Sequence, residues 1–274
     1  MNAFTHTGAA YIYETTGQYV KKLLPSTISP GDNFGFSVDI SGSIIVVGAR
    51  KSDERGTDSG AAYIFDTSGQ YVTNLVAPVT TAGDQFGWSV GVSGSIIVVG
   101  AQTADSNGVD SGAAYIFDTT SQYVTNLVAP ATTAGDNFGW IVGVSGSIIV
   151  VGAYIADSNG VDSSVAYIFD TSGQYVTDLV APDIAAGDNF GVGVGISESM
   201  ILVTAQVDDD NGNDSGSVYV LDTISQFDRK LVASDGAVVD NFGRAIDVSG
   251  SIIVVGAYLD DDNGFDSGAA FIFL

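Results

Sequence analysis

The chain has 274 residues, 45% of them hydrophobic, with 35 Gly, 5 Pro and no Cys. That composition supports a sizeable core and argues against disorder, and the missing Cys removes disulfides, thiol catalysis and cysteine-based zinc sites. With 32 acidic against 8 basic residues the net charge is −24, which excludes nucleic acid as a partner and disfavours an anionic membrane surface.

The first residues, MNAFTHTG, carry neither a basic n-region nor an apolar h-region, so no signal peptide is expected in them. No apolar run reaches the ~18–20 residues of a membrane helix. His6, the lone histidine, is expected to be incidental. GAAYIY (8–13) and GQYVKKLL (17–24) read as short strands. From there the chain repeats. NFG or QFG places Phe34, Phe86, Phe138, Phe190 and Phe242 at a constant spacing of 52, and VSGSIIVVGA occurs verbatim at 92–101, 144–153 and 248–257. Such a period marks a repeat architecture.

The second copy shows the unit. FGWSVGV (86–92) predicts the first strand, and a Ser-Gly turn leads to SIIVVGA (95–101). An acidic loop follows, then GAAYIF (112–117), the tight turn DTTS and QYVTNLV (122–128). IIVV is apolar on both faces, as in a strand buried between layers. Four such strands per repeat predict an all-β fold, a five-bladed β-propeller of four-stranded antiparallel blades. The single domain spans 1–274, with repeats of about 34–85, 86–137, 138–189, 190–241 and 242–274. Residues 1–33 are expected to close the ring, the N-terminal strand joining the C-terminal blade. Strand three has six copies, one more than five blades need, so GAAYIY (8–13) and GAAFIF (268–273) compete for one place. The spare copy is displaced or pairs with another molecule; the bland alternatives are a frayed terminus or a chain that is part of a longer propeller.

GDNFGWSVGVSGSIIVVGA followed by DSGAAYIF resembles the FG-GAP repeat of integrin-α-type β-propellers, in its bacterial variant, over nearly the whole chain. The resemblance implies an extracellular or cell-surface platform for adhesion or recognition, with calcium on its loops. The pattern here departs from the D-x-D-x-D-G-x-x-D loop of that family: the acidic loop follows the IVVGA strand, and its spacing differs.

The acidic loops are the candidate metal sites. Asp105, Asn107 and Asp110 recur as Asp157, Asn159 and Asp162, then within Asp208, Asp209, Asp210, Asn211 and Asp214, and again within Asp260, Asp261, Asp262, Asn263 and Asp266. Ca²⁺ takes six to eight hard oxygens on a flexible loop, and Asp, Asn and carbonyl groups at these spacings can supply them. The bland alternative is a set of Asx turns copied with the repeat. In the first repeat Lys51 and Arg55 bring positive charge, which opposes a cation there. A second acidic column, Asp32, Asp84, Asp136, Asp188 and Asp240, is expected at the same end of the disc.

No basic residue falls between 56 and 228, so ring closure would gather all eight in one sector; Lys21–Lys22 and Arg229–Lys230 share repeat columns. Trp88 and Trp140 follow the FG pair and are expected to pack between blades or line a central surface. No catalytic residues are expected, because one His and no Cys remove most nucleophile–base pairs. The expected function is a non-enzymatic, calcium-supported binding or adhesion propeller, its partner a surface protein or glycan. The alternatives are self-association into oligomers or filaments, and glycoside hydrolysis by paired carboxylates.

Overall fold

A computed structural model describes residues 7–25, 27–156, 164–179, 181–222, 227–262 and 264–274. An N-terminal hairpin comprises β1 (Ala10–Tyr13) and β2 (Tyr19–Leu23). Blade 1 is β3 (Phe34–Ser41), β4 (Ile44–Ala49), β5 (Ala61–Asp66) and β6 (Tyr71–Leu75). Blade 2 is β7 (Ser89–Ser93), β8 (Ile96–Ala101), β9 (Ala113–Asp118) and β10 (Tyr123–Leu127). Blade 3 is β11 (Phe138–Ser145), β12 (Ile148–Ala153), β13 (Val165–Asp170) and β14 (Tyr175–Leu179). Blade 4 is β15 (Phe190–Ser197), β16 (Met200–Ala205), β17 (Ser217–Asp222) and β18 (Phe227–Leu231). Blade 5 has β19 (Phe242–Ser249), β20 (Ile252–Ala257) and β21 (Ala269–Phe273). Each blade is an antiparallel sheet in chain order, and the architecture is the expected all-β propeller, its five innermost strands lining one central cavity.

The core lies between the blades. Along β4, Val46 packs forward against Phe86, Val90 and Val92 of blade 2, while Ile45 and Val47 pack backward against Leu23 of the hairpin. The IIVV run therefore buries both faces, as its lack of polar alternation predicts. Blades approach at backbone distance: a Cβ on Gly100 would lie 2.1 Å from the Gly139 carbonyl oxygen of the next blade. Only glycine permits that approach.

Two kinds of connection recur at the joints. At the turn end, the Oγ of Ser41, Ser93, Ser145 and Ser197 accepts the N–H of Gly94, Gly146, Glu198 and Gly250 on the following blade, at 3.2, 3.2, 3.1 and 3.1 Å. At the acidic-loop end, Phe86, Phe138 and Phe242 donate their N–H to the carbonyls of Ser59, Ser111 and Ser215 on the preceding blade. Phe34 donates likewise to Thr7, so the hairpin stands on blade 1 as a preceding blade would.

The closure differs from expectation. β2 pairs with β1 in its own two-stranded sheet, and β21 has no fourth strand beside it among the described residues. The two competing copies of strand three, β1 and β21, occupy separate sheets. β19 lacks the packing against β3 that every other consecutive pair of inner strands makes. Identical repeats specify identical joints, but the angle at which the ends meet is the sum of all the joints, and no local pattern encodes it.

Candidate functional site

Two places gather chemistry: the acidic-loop end of the blades and the central cavity. The second acidic column is buried, and its carboxylates cap turns. Asp32, Asp84, Asp136, Asp188 and Asp240 each accept the backbone N–H of the residue three positions earlier, at 2.8, 2.7, 2.7, 2.7 and 2.6 Å. Burial raises the pKa of Asp32 and Asp188 against those bonds, and the neighbouring loop carboxylates Asp53 and Asp208 add to the rise. Both acidic columns thus meet at one end of the disc.

Within the loops the carboxylates divide by task. Asp105, Asp209 and Asp261 accept the N–H of Asp110, Asp214 and Asp266 at 2.9, 2.8 and 2.7 Å. Asp110, Asp214 and Asp266 are left-handed, at φ 54°, 55° and 50°, a conformation that Asp and Asn tolerate best after Gly. The carbonyls of Asp110 and Asp214 accept the N–H of Asn137 and Asn241 in the next blade. Asn107 donates to Thr132 Oγ1 at 3.0 Å, and Asn211 is exposed in its turn. These bonds fasten the loops to themselves and to the next blade. Asp157, Asn159, Asp162 and Asn263 lie outside the described residues.

The first and third Asp of the triple runs do converge. In blade 4 the Lys230 ammonium lies 2.8 Å from Asp208 and 3.1 Å from Asp183, and it also contacts Asp210. The Tyr219 hydroxyl is 2.9 Å from both Asp183 and Asp208. Burial works against the Lys230 ammonium, but hydrogen bonds to Asp208 and Asp210 outweigh it and hold its pKa above the usual value. Asp208 is likewise pushed up by burial and pulled below the usual range by Lys230.

Blade 5 repeats the carboxylates without the lysine. Asp235, Asp260 and Asp262 have ligand oxygens within 4.8 Å of one another. Asp262 is raised by the hydrogen bond and charge of Asp235 and by the charge of Asp260. Sequence reasoning missed Asp183 and Asp235. Their signal was available: their column reads Thr27, Val79, Ala131, Asp183, Asp235, acidic only where the triple Asp occurs.

The central cavity, of about 640 Å³, departs from the repeat pattern. The position after FG reads Phe36, Trp88, Trp140, Val192, Arg244. Phe36, Trp88, Trp140 and Tyr154 form a ladder with ring centroids 4.9, 4.9 and 4.5 Å apart. The Arg50 guanidinium covers Phe36 at 4.1 Å and Trp88 at 4.6 Å, a cation–π arrangement. Arg50 Nε and the Oε1 atoms of Gln102 and Gln206, from one repeat column, are buried without hydrogen-bond partners. Among the described residues, those lining this cavity include no carboxylate.

A family model described as "FG-GAP repeat" matches five times, over residues 18–65, 71–117, 122–169, 175–221 and 226–273. Each match runs from the fourth strand of one sheet through three strands of the next, so the matches take in β2 through β21 and leave β1 outside. No curated protein matches the chain. Among solved structures, the computationally designed protein Ika8 aligns with a TM-score of 0.54 at 17% identity, over 89% of this chain. This chain spans 60% of that protein's length, and the likeness concerns fold alone.

Proposed function

This chain belongs to the FG-GAP repeat family, and on that premise we propose that it is a non-catalytic binding propeller of the cell exterior that seats an acidic oligosaccharide in its central cavity. The observation that carries the reading is the Phe36–Trp88–Trp140–Tyr154 ladder with Arg50 beside it. The ladder breaks the repeat, and a mostly apolar cavity with a few convergent polar groups is the usual form of a ligand site. Aromatic faces suit sugar rings, and Arg50 and Arg244 suit a carboxylate. Family membership supports a recognition role, and the absence of carboxylates from the described cavity lining weighs against glycoside hydrolysis there.

Calcium support is proposed for the Asp235–Asp260–Asp262 cluster; the equivalent carboxylates of blade 4 already surround Lys230. Three carboxylates fit a calcium site that completes its shell with carbonyls and water.

The test of the cavity is tryptophan fluorescence during titration with a uronic-acid tetrasaccharide and with a neutral one. The acidic sugar is expected to change the emission, and Trp88→Ala and Arg50→Ala should each weaken binding at least tenfold. An unchanged emission, equal affinity of the native chain for the acidic and the neutral sugar, or acidic-sugar binding unaffected by Arg50→Ala would remove the acidic-sugar assignment.

A further inference from the structure

The two ends of the blade series expose matching surfaces. On the leading face of blade 1, Val38 and Ile40 are each 58% exposed, whereas their repeat equivalents Val90 and Val92 are 8% and 4% exposed. On the trailing face of blade 5, Ile252, Val254 and Ile272 are 48%, 39% and 67% exposed, whereas Val46 and Ile64, equivalent to the last two, are fully buried. At the joint between blades 1 and 2, Val46 and Ile64 share one cluster with Val90 and Val92. The same joint is therefore half-built at each end of the molecule. Its latch is divided in the same way, with Ser249 on the last blade and the Gly42 N–H on the first. The carbonyl of Ser267, equivalent to the Ser59 carbonyl that accepts Phe86, accepts no such bond among the described residues.

Charge divides identically. Counting back four periods of 52 from Lys230 gives Lys22, on β2. Counting forward one period from Asp183, Asp208 and Asp210 gives Asp235, Asp260 and Asp262. Lys22 is exposed, and among the described residues it has no carboxylate partner, only a position over the Tyr11 ring at 5.9 Å. The cluster in blade 5 has three carboxylates and no ammonium. A β2 strand laid along the free edge of β21 in the register of β17–β18 would bring Lys22 opposite Phe271, as Lys230 is opposite Tyr219.

We propose that the trailing face of blade 5 docks on the leading face of blade 1 of a second copy of this chain, whose β2 becomes the fourth strand of blade 5 with Lys22 held by Asp235, Asp260 and Asp262. A second copy, and not the chain's own N-terminus, is the occupant because the four existing joints share the serine latch at the turn end, and the first three also share the glycine-to-glycine backbone approach. Drawing the chain's own ends together would change the angle at all of them; a second copy adds at the angle they already have. Head-to-tail contacts of this kind propagate into rings or filaments. β21 keeps its place, because Phe271 and Phe273 already pack on Phe242 at 5.3 and 6.1 Å. β1 is the strand released: Tyr11 and Tyr13 are 54% and 58% exposed, and the family matches exclude it. The proposal is independent of ligand binding in the cavity, so either can fail alone.

The experiment is sedimentation velocity of the full chain in low salt with EDTA, so that no divalent cation competes for the carboxylates. The native chain should sediment faster with rising concentration. Lys22→Glu alone and Asp262→Lys alone should each weaken association at least tenfold. An equimolar mixture of the two variants should regain it as a dimer, because the intact Asp235–Asp260–Asp262 cluster of the Lys22→Glu copy then meets the intact Lys22 of the Asp262→Lys copy. Lys22 and Asp262 are exposed, so folding tolerates both changes, and circular dichroism checks it. A native chain that stays monomeric, single variants that associate like the native chain, or a mixture that stays monomeric would each overturn the proposal.

Discussion

Lys230 holds an unusual position among the basic residues, because its side chain is only 14% exposed and it faces three carboxylates. Removing one partner of a buried charge cluster costs about 3–5 kcal/mol, since the remaining charge is left uncompensated. Lys230→Met is expected to lower stability by that amount near neutral pH, read by urea denaturation. The pH dependence follows from Asp208. In the native chain its pKa is depressed, so it contributes stability above its unfolded pKa that is lost as pH falls through the folded value. In the variant burial still raises the pKa and only the Asp210 N–H and the Tyr219 hydroxyl still lower it, so Asp208 is more readily protonated and protonation relieves part of the penalty. The difference between the two proteins should therefore narrow as pH falls below about 4, through the unfolded and then the depressed folded pKa of Asp208. A gap that stays constant would show that packing, not charge, holds the cluster together. The lysine column was legible in the sequence as Lys22 and Lys230. Its partner Asp183 lies 47 residues from Lys230 on a different loop, so local spacing does not show it; only the repeat column that turns acidic with the triple Asp does.

At the scale of the strand and its turns, glycine serves two separate ends that substitution distinguishes. Gly94 has φ +56° with nothing near its absent Cβ, so Gly94→Ala should cost only the left-handed penalty of about 1–2 kcal/mol. Gly100 lies where a Cβ would meet the Gly139 oxygen at 2.1 Å and Ser89 Oγ at 2.4 Å. Gly100→Ala should cost about 3 kcal/mol or more by overpacking and loosen the joint between blades 2 and 3. Melting curves of the two variants compare them directly, and equal losses would refute close approach as the reason for Gly100. The strands themselves were readable from the sequence: IIVVGA and GAAYIF fall where their patterns place them, because alternation and turn residues act locally. The acidic loops were only half readable. Asp110 and Asp105 look like metal ligands by spacing, yet the N–H of Asp110 is bound to Asp105 at 2.9 Å, a turn that composition alone does not separate from a cation site.

The whole molecule carries −24 charges, most of them at the loop end of the disc, and self-repulsion of that size favours any bound cation. One calcium site filled at about ten times its Kd adds roughly 1.4 kcal/mol, or about 3 °C in Tm for a chain of this length. Millimolar Ca²⁺ is expected to raise Tm by that much, Mg²⁺ by less, and Asp262→Asn to abolish the effect. A matched ionic strength of NaCl giving the same rise would assign it to screening alone. The blade count was legible from the 52-residue period, whereas the open seam was not, since it depends on angles accumulated over four joints. The verbatim IIVVGA of β4, β8, β12 and β20 has a further consequence, for folding. Each of these strands offers β5 or β9, both AAYIFD, the same register and the same pairs, so pairing energy does not distinguish a strand's own neighbour from one 52 residues away. Only the short loops enforce the correct choice, through the lower entropy cost of closing them. That advantage vanishes between chains at high concentration, where exchanged blades become kinetic traps. Refolding yield is thus set by chain concentration and by loop length, more than by the strength of any strand pair.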